Sequence, residues 1–212
     1  MRIAVTGASG LVGSALTKSL AGQGHQVVPL ARPSAFDPAT GFVDRSVLEG
    51  AQAVVHLAGE PIGSGRWSPA KKQAIASSRR EGTRALAEAV ASLDSPPGAM
   101  VCASAVGIYG DRGDEVLTEQ SSPGSGFLAQ VCRDWEAASA PASRAGVRVV
   151  HLRFGVVLSP RGGALARQLP LFRLGLGGRL GSGRQYLSWV ALEDAVAAAG
   201  FVLERPELAG PL

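Results

Sequence analysis

The segment Thr6-Gly7-Ala8-Ser9-Gly10-Leu11-Val12-Gly13 follows directly on a short apolar strand-like run, Arg2–Thr6, and opens a helical repeat. No other feature constrains the chain as tightly as glycines at every third position in that setting. Gly7 allows a sharp strand-to-helix turn, Gly10 lets backbone amides approach a ligand, and Gly13 lets the helix pack closely on the strand. From Gly10 to Gly22 the positions Val12, Ala15, Leu16, Ser19 and Leu20 recur at helical spacing. The helix N-terminus therefore offers free N–H groups and a partial positive charge to an anion. Three glycines alone would be a weak signal; a strand before them and an amphipathic helix after them supply the required context. The turn is expected to hold the pyrophosphate of a dinucleotide through Gly7, Ser9, Gly10, Leu11, Val12 and Gly13. A purely structural Gly-rich turn is the alternative.

The pattern repeats along the chain. Strands are expected over His25–Leu30, Ala51–Leu57, Ala99–Ser104, Val147–Phe154 and Gln185–Val190. Helices are expected over Ser68–Leu93, Leu128–Ala145 and Glu193–Glu204, with Asp194 as an N-cap or first-turn acid. Strands alternating with helices predict an α/β, Rossmann-type, doubly wound and mainly parallel sheet with helices on both faces. Its ligand should lie at the carboxyl ends of the strands, near the topological switch point. The 212 residues, 46% of them hydrophobic and 18% charged, suit one sizeable core, hence a single domain over 1–212. Residues 161–190 form a substrate-side excursion from it.

The end of the second strand discriminates between coenzymes. Sites for NAD usually carry an acid there for the ribose 2′-hydroxyl. Here Pro29-Leu30-Ala31-Arg32-Pro33 has none, and the first acid is Asp37. Arg32 can pair with a 2′-phosphate that a carboxylate would repel. NADP(H) is expected ahead of NAD(H), with a solvent-exposed arginine as the bland reading.

The net charge is +4, and only Lys18, Lys71 and Lys72 among the 21 cationic side chains are lysine. Arg161, Arg167, Arg173, Arg179 and Arg184 fall in a stretch without an acid. Aromatics are scarce at 5%, and no nucleic-acid motif accompanies these arginines, so a nucleic-acid partner is not expected. Arginines awaiting a phosphate-bearing small molecule are the favoured reading, and a solvated basic loop the alternative. Met1-Arg2 leads straight into Ile3-Ala4-Val5, leaving no room for a signal peptide, and no apolar stretch approaches the roughly 18 residues a membrane span needs. Cys102 and Cys132 form neither a metal cluster nor a secreted disulfide framework. A cytoplasmic setting without membrane or metal is expected.

The chain resembles the atypical short-chain dehydrogenase/reductases of the "epimerase family protein" group, related to nucleoside-diphosphate-sugar epimerases. The resemblance rests on 6–16, Val-Val-His-Leu-Ala-Gly-Glu-Pro-Ile (54–62), Arg-Trp-Ser (66–68), Ser78-Arg79 and Gly82-Thr83-Arg84. It continues through Ser-Ala-Val-Gly-Ile-Tyr-Gly (104–110), Phe-Leu-Ala-Gln-Val-Cys-Arg-Asp-Trp-Glu (127–136), 152–160, 175–185 and Ser-Trp-Val (188–190). It implies that Leu57, Ala58 and Gly59 pass the adenine-side ribose and pyrophosphate. Ala103 and Ser104 would lie beside the nicotinamide ribose, and Gly155, Val156, Val157 and Leu158 would line the nicotinamide. It also implies a further C-terminal segment over the substrate cleft; this sequence reaches Gly210-Pro211-Leu212, near where that segment would begin.

Short-chain dehydrogenases ordinarily use a Tyr-x-x-x-Lys pair on the helix after strand four, the lysine lowering the tyrosine pKa and holding the nicotinamide ribose. Here Phe127 or Leu128 stands for the tyrosine and Val131 or Cys132 for the lysine. Ser104, Tyr109 and Glu60 are the candidate catalytic residues in their place: Ser104 against a backbone-satisfied serine, Tyr109 against a pocket-lining tyrosine, and Glu60 as base or substrate contact. His56 is expected to be a packed core histidine, and Trp67, Trp135 and Trp189 packing residues, with Trp67 as an alternative cover for the cleft. An oxidoreductase or epimerase-like enzyme acting on a small substrate leads. A non-catalytic dinucleotide sensor follows, then a nucleic-acid-binding protein.

Overall fold

The structure, a computed structural model, describes residues 1–179 and 181–212; Leu180, inside the 175–185 motif, lies outside the described residues. The first half runs β1 (Arg2–Thr6), α1 (Leu11–Gly22), β2 (Gln26–Leu30), β3 (Phe36–Asp37), β4 (Phe42–Val43), α2 (Arg45–Leu48), β5 (Ala53–His56) and α3 (Pro69–Ala91). Next come β6 (Ala99–Ala105), a 3-10 turn (Val106–Tyr109), α4 (Phe127–Ala137), α5 (Ala140–Arg144) and β7 (Arg148–Phe154). The last part holds β8 (Val156–Leu158), α6 (Gly163–Arg173), β9 (Trp189–Ala191), α7 (Leu192–Leu203) and β10 (Gly210–Pro211).

Six strands form one parallel sheet in the order β10-β7-β6-β5-β1-β2. From β1 the chain moves outward to β2, then returns to β5 on the other side, so β1 and β5 bracket the switch point. In open sheets of this kind ligands bind at such a point, outside the carboxyl ends of the strands. Successive strand side chains point to opposite faces, and each strand feeds two cores. Ala4, Val54, Met100, Cys102 and Val149 pack with Leu86 and Val90 of α3 and Ala142 of α5. Ile3, Val5, Val55, Val101 and Val150 pack with Leu16 and Leu20 of α1 and Val196 and Ala199 of α7. This is the doubly wound α/β architecture expected from the alternation of elements.

Three expectations need correction. Residues 185–190 do not add a sixth strand to the sheet. The chain leaves the sheet at Gly155, β9 pairs with β8, and the sixth sheet strand is Gly210–Pro211 beside β7. Two residues are too few to show periodicity, and the proline fits only because the strand is at the edge. The helix expected over 128–145 is two helices. Pro141 lacks an N–H, and its ring opposes the carbonyl four residues back, at Ala137, where α4 ends. The Ser139 hydroxyl fills the break, donating to the Glu136 carbonyl at 2.7 Å. Trp189 is not a packing residue: it is 61% exposed, whereas Trp135 is buried. Asp194 is a first-turn acid of α7, whose N-cap is Ala191. Among the described residues no helix is long and apolar enough to cross a membrane.

Candidate functional site

The Gly-rich turn sits at the switch point, packed backbone to backbone against the end of β5. The Gly10 amide donates to the Gly7 carbonyl at 2.9 Å, and the Ser14 amide donates to the Gly10 carbonyl at 2.9 Å, closing the turn and starting α1. Gly7 has φ +69°, and a Cβ on it would lie 2.8 Å from the Ala58 nitrogen. A Cβ on Gly13 would lie 2.1 Å from the Gly7 carbonyl oxygen. Neither position admits a side chain while α1 and the strand end stay where they are. Gly10 caps α1 without a side-chain hydrogen bond, and no acid lies in the first turn. The first amides of the helix, with Ser9 and Gly10 exposed, are therefore available to an anion.

Beneath the turn lies a buried polar strut. Thr6 Oγ1 is 2.6 Å from His56 Nδ1, His56 Nε2 is 2.9 Å from Thr83 Oγ1, and the Ala58 amide donates to Thr6 Oγ1 at 3.3 Å. This strut ties β1, β5 and α3 together under the turn. His56 is fully buried and packs edge-on against Phe36 at 5.7 Å between ring centroids. Burial, with the Arg79 charge adding to it, lowers its pKa from 6.5 to about 4, so it is neutral at ordinary pH. It belongs to the core.

Arg32 lies two residues beyond β2, exposed on the β2 side of the turn. On the other side, Leu57, Ala58 and Gly59 follow β5, and Ala103 and Ser104 end β6 beside them. Gly155, Val156 and Val157 follow β7, half-buried, with the Val156 amide donating to the Ser188 carbonyl at 2.8 Å. Gly162 packs on the Leu11 side chain, and Arg167 donates to the Gly63 carbonyl, so the 161–167 segment spans from the phosphate turn to the loop after β5. Arg161 also faces Glu193 at 3.6 Å. Phe172 at the end of α6, and Leu174, Leu176, Tyr186 and Leu187 beyond it, are exposed.

The three candidate catalytic residues fall into two clusters. Glu60 accepts from Lys71 Nζ at 2.5 Å, and Lys71 also donates to Ser64 Oγ at 2.7 Å. Ser104 and Tyr109 belong to a separate, buried network. Ser104 Oγ donates to Glu136 Oε1 at 2.6 Å, and Arg153 Nη1 donates to the Tyr109 hydroxyl oxygen at 2.8 Å. Glu136 and Arg153 close the network as a two-pronged ion pair. Burial pushes the Glu136 carboxyl up, but hydrogen bonds from Arg153 and Ser104 outweigh it and hold the group below its usual range.

Sequence reasoning missed Glu136, Arg153 and Arg79 as site residues. The first two lie within the segments 127–136 and 152–160 that carry the resemblance, but their pairing depends on β7 lying beside β6 under α4. Arg79, on α3, reaches back to the Glu60 carbonyl at 3.0 Å, stacks over Trp135 at 4.9 Å and packs against Gly59. Among the described residues it forms no ion pair. Burial lowers its pKa, with Cys132 and Glu60 opposing, and a guanidinium stays charged under that pressure. Its charge lies next to Cys132, whose thiol burial pushes up to about 11. Leu128 and Cys132 line the face of α4 that meets Gly107, whereas Phe127 packs against Trp67 at 5.7 Å.

The NAD dependent epimerase/dehydratase family pattern matches residues 3–211. An epimerase family protein of Mycobacterium bovis is 48% identical over 217 residues, covering 99% of this chain and 71% of the relative. Human epimerase family protein SDR39U1 (isoform 2), crystallised with NADPH, superposes with TM-score 0.88 at 34% identity over all of this chain and 73% of its own. A nucleoside-diphosphate sugar epimerase from Corynebacterium glutamicum superposes with TM-score 0.88 at 43% identity; this chain spans 45% of that one. Pattern, sequence and fold agree, and the chain belongs to the NAD dependent epimerase/dehydratase family.

Proposed function

We propose that this protein is an NADP(H)-binding oxidoreductase or epimerase-like enzyme of the cytoplasm, acting on a small, phosphate-bearing substrate without a Tyr-x-x-x-Lys pair. One observation carries the reading: glycines at 7 and 13 leave no room for a Cβ, and the α1 start they form has no side-chain cap, with Arg32 exposed just past the neighbouring strand β2. The cradle fits a pyrophosphate, and Arg32 fits a 2′-phosphate. The human relative crystallised with NADPH supports the same choice.

In this reading Gly7, Ser9, Gly10, Leu11, Val12 and Gly13 hold the pyrophosphate, and Arg32 selects the phosphorylated ribose. Leu57, Ala58 and Gly59 line the adenine side; Ala103, Ser104, Gly155, Val156 and Val157 line the nicotinamide side. The coenzyme supplies hydride chemistry when bound. This chain's residues orient the reacting carbon, and Ser104, Tyr109 and Glu60 are the groups available for hydrogen bonding or proton transfer. Arg79 puts a fixed cation beside Cys132, on the helix face where the ordinary lysine would stand. The exposed arginines of 161–184 meet the substrate's charge.

Turnover tests this reading. The full-length, NADPH-saturated protein should oxidise NADPH slowly with a member of a carbonyl and nucleotide-sugar panel. Silence across such a panel would remove the enzymatic part. It would favour a sensor whose coenzyme alters affinity for a partner, a reading motivated by Leu128 and Cys132 lining a face that offers no proton-transfer pair.

A further inference from the structure

Arg79 is a half-buried cation without a carboxylate of its own. Its Nη1 donates to the carbonyls of Glu60 at 3.0 Å and Ile75 at 3.2 Å, and the guanidinium stacks over Trp135 at 4.9 Å. It meets the chain just after β5, since a Cβ on Gly59 would lie 3.4 Å from its central carbon. Its charge also reaches Cys132 of α4, whose thiol accepts a hydrogen bond from the backbone of Ala105, the last residue of β6. The cation therefore stands between the carboxyl ends of β5 and β6. Carboxylates at the same two strand ends are matched by other cations. Glu60 pairs with Lys71 at 2.5 Å, and Glu136, which holds Ser104, pairs with Arg153 at 2.8 Å. Arg79 is the unmatched charge of this group, and a guanidinium keeps its charge at all ordinary pH values.

We infer that Arg79 is a specificity-determining residue that makes this protein favour the reduced coenzyme over the oxidised one. NADPH and NADP+ differ in charge only at the nicotinamide ring, which is neutral when reduced and cationic when oxidised. The phosphates are common to both, so whatever Arg79 adds to their binding cancels in the ratio of the two affinities. The inference rests on the reading of this chain as an NADP(H) protein, in which the residues after β5 and at the end of β6 form the wall from pyrophosphate to nicotinamide. A field needs neither contact nor an opening, so the guanidinium acts from behind that wall. At the edge of a protein, a fixed unit charge about 10 Å away changes a cation's affinity about tenfold.

The test is calorimetry on the intact chain with NADPH and NADP+, for the wild type, Arg79→Met and Arg79→Lys, with thermal melts alongside. The wild type should bind NADPH about tenfold more tightly than NADP+. Arg79→Met removes the charge while two other anchors of the loop remain: Ser78 Oγ accepts from the Glu60 amide at 3.0 Å, and Lys71 holds the Glu60 carboxylate. Its two affinities should come within about threefold of each other. Arg79→Lys keeps the charge but loses the fork that grips two carbonyls, so the preference should persist whatever happens to each affinity singly. A purely structural Arg79 would instead weaken both coenzymes alike and leave the ratio where it was. A wild type that binds NADP+ as tightly as NADPH, a methionine variant that keeps the preference, or a lysine variant that loses it would overturn the inference. The first of these needs no variant, so it decides even if Arg79→Met does not fold. A wild type that binds neither coenzyme would overturn the coenzyme reading beneath the inference.

Discussion

Gly13→Ala tests the phosphate turn with a single methyl group. Its Cβ would lie 2.1 Å from the Gly7 carbonyl oxygen, 2.8 Å from the Gly7 carbon and 2.9 Å from the Ala8 Cα, all of them backbone, where ordinary contact begins at 3.4 Å. Relief therefore requires α1 to move about 1 Å away from the turn, because closely packed backbone cannot yield locally. Overpacking of this kind costs roughly 1–3 kcal/mol, and alanine in a helix returns up to about 1 kcal/mol relative to glycine, so net stability should fall by no more than about 2 kcal/mol. The coenzyme loss should be larger: a displacement of about 1 Å in positioned groups can cost on the order of a hundredfold. Gly22→Ala at the end of the same helix is the control, since nothing lies within 4 Å of its Cβ. It should stabilise the protein by about 0.5–1 kcal/mol and leave binding unchanged. NADPH fluorescence titrations and urea unfolding read both quantities. A Gly13→Ala protein that binds NADPH within about threefold of wild type would refute the reasoning, because that difference is well under 1 kcal/mol.

The other perturbations probe the coenzyme's charge and the buried polar groups. Arg32→Asp should weaken NADP(H) far more than NAD(H), read by parallel titrations; equal losses would end the assignment of Arg32. His56 has a folded pKa of about 4 against 6.5 in the unfolded chain, so the unfolded state takes up a proton first as pH falls. Its stability contribution, complete above pH 6.5, should be lost between there and about 4, amounting to roughly 3 kcal/mol. Urea unfolding of wild type and His56→Gln across that window should show a steeper slope in the former, the remainder in both coming from groups such as His151, whose pKa burial also lowers. Glu136, held below its usual range, adds stability above the unfolded carboxyl value that is lost as pH falls through the folded one. Glu136→Gln should flatten the acid limb of the stability profile, and an unchanged limb would count against the ion pair.

The legible parts of the sequence were those with a local signature. The opening turn, the helices α1, α3 and α7 and the strands β1, β5, β6 and β7 are marked by periodicity, glycine spacing and stops such as Pro96-Pro97-Gly98. Ser68 and Pro69 mark the start of α3 through a side-chain cap and a proline whose missing N–H is not needed there. The family resemblance rests on the same segments. What escaped depends on contacts between distant residues. Pro141 could be read as a breaker in principle, yet the surrounding alanines kept the helical pattern over 128–145. Gln185–Val190 has strand-like composition, but only Gly155 turning the chain out of the sheet pairs its last residues, in β9, with β8. Gly210–Pro211 has no pattern at all and is a strand only because β7 lies beside it. The Ser104, Glu136, Arg153 and Tyr109 network joins three elements and a turn, so its members look unrelated in sequence.

Isothermal titration of the intact wild-type protein with NADPH, NADP+ and NADH addresses the central claim most directly. Phosphate grip by the opening turn together with Arg32 predicts saturable one-to-one heats for both phosphorylated coenzymes. Their affinities should exceed that for NADH by at least about tenfold, the difference expected for a charge-assisted contact to the extra phosphate. Absence of heat with NADPH and NADP+, or NADH binding as tightly as NADPH, would contradict the account.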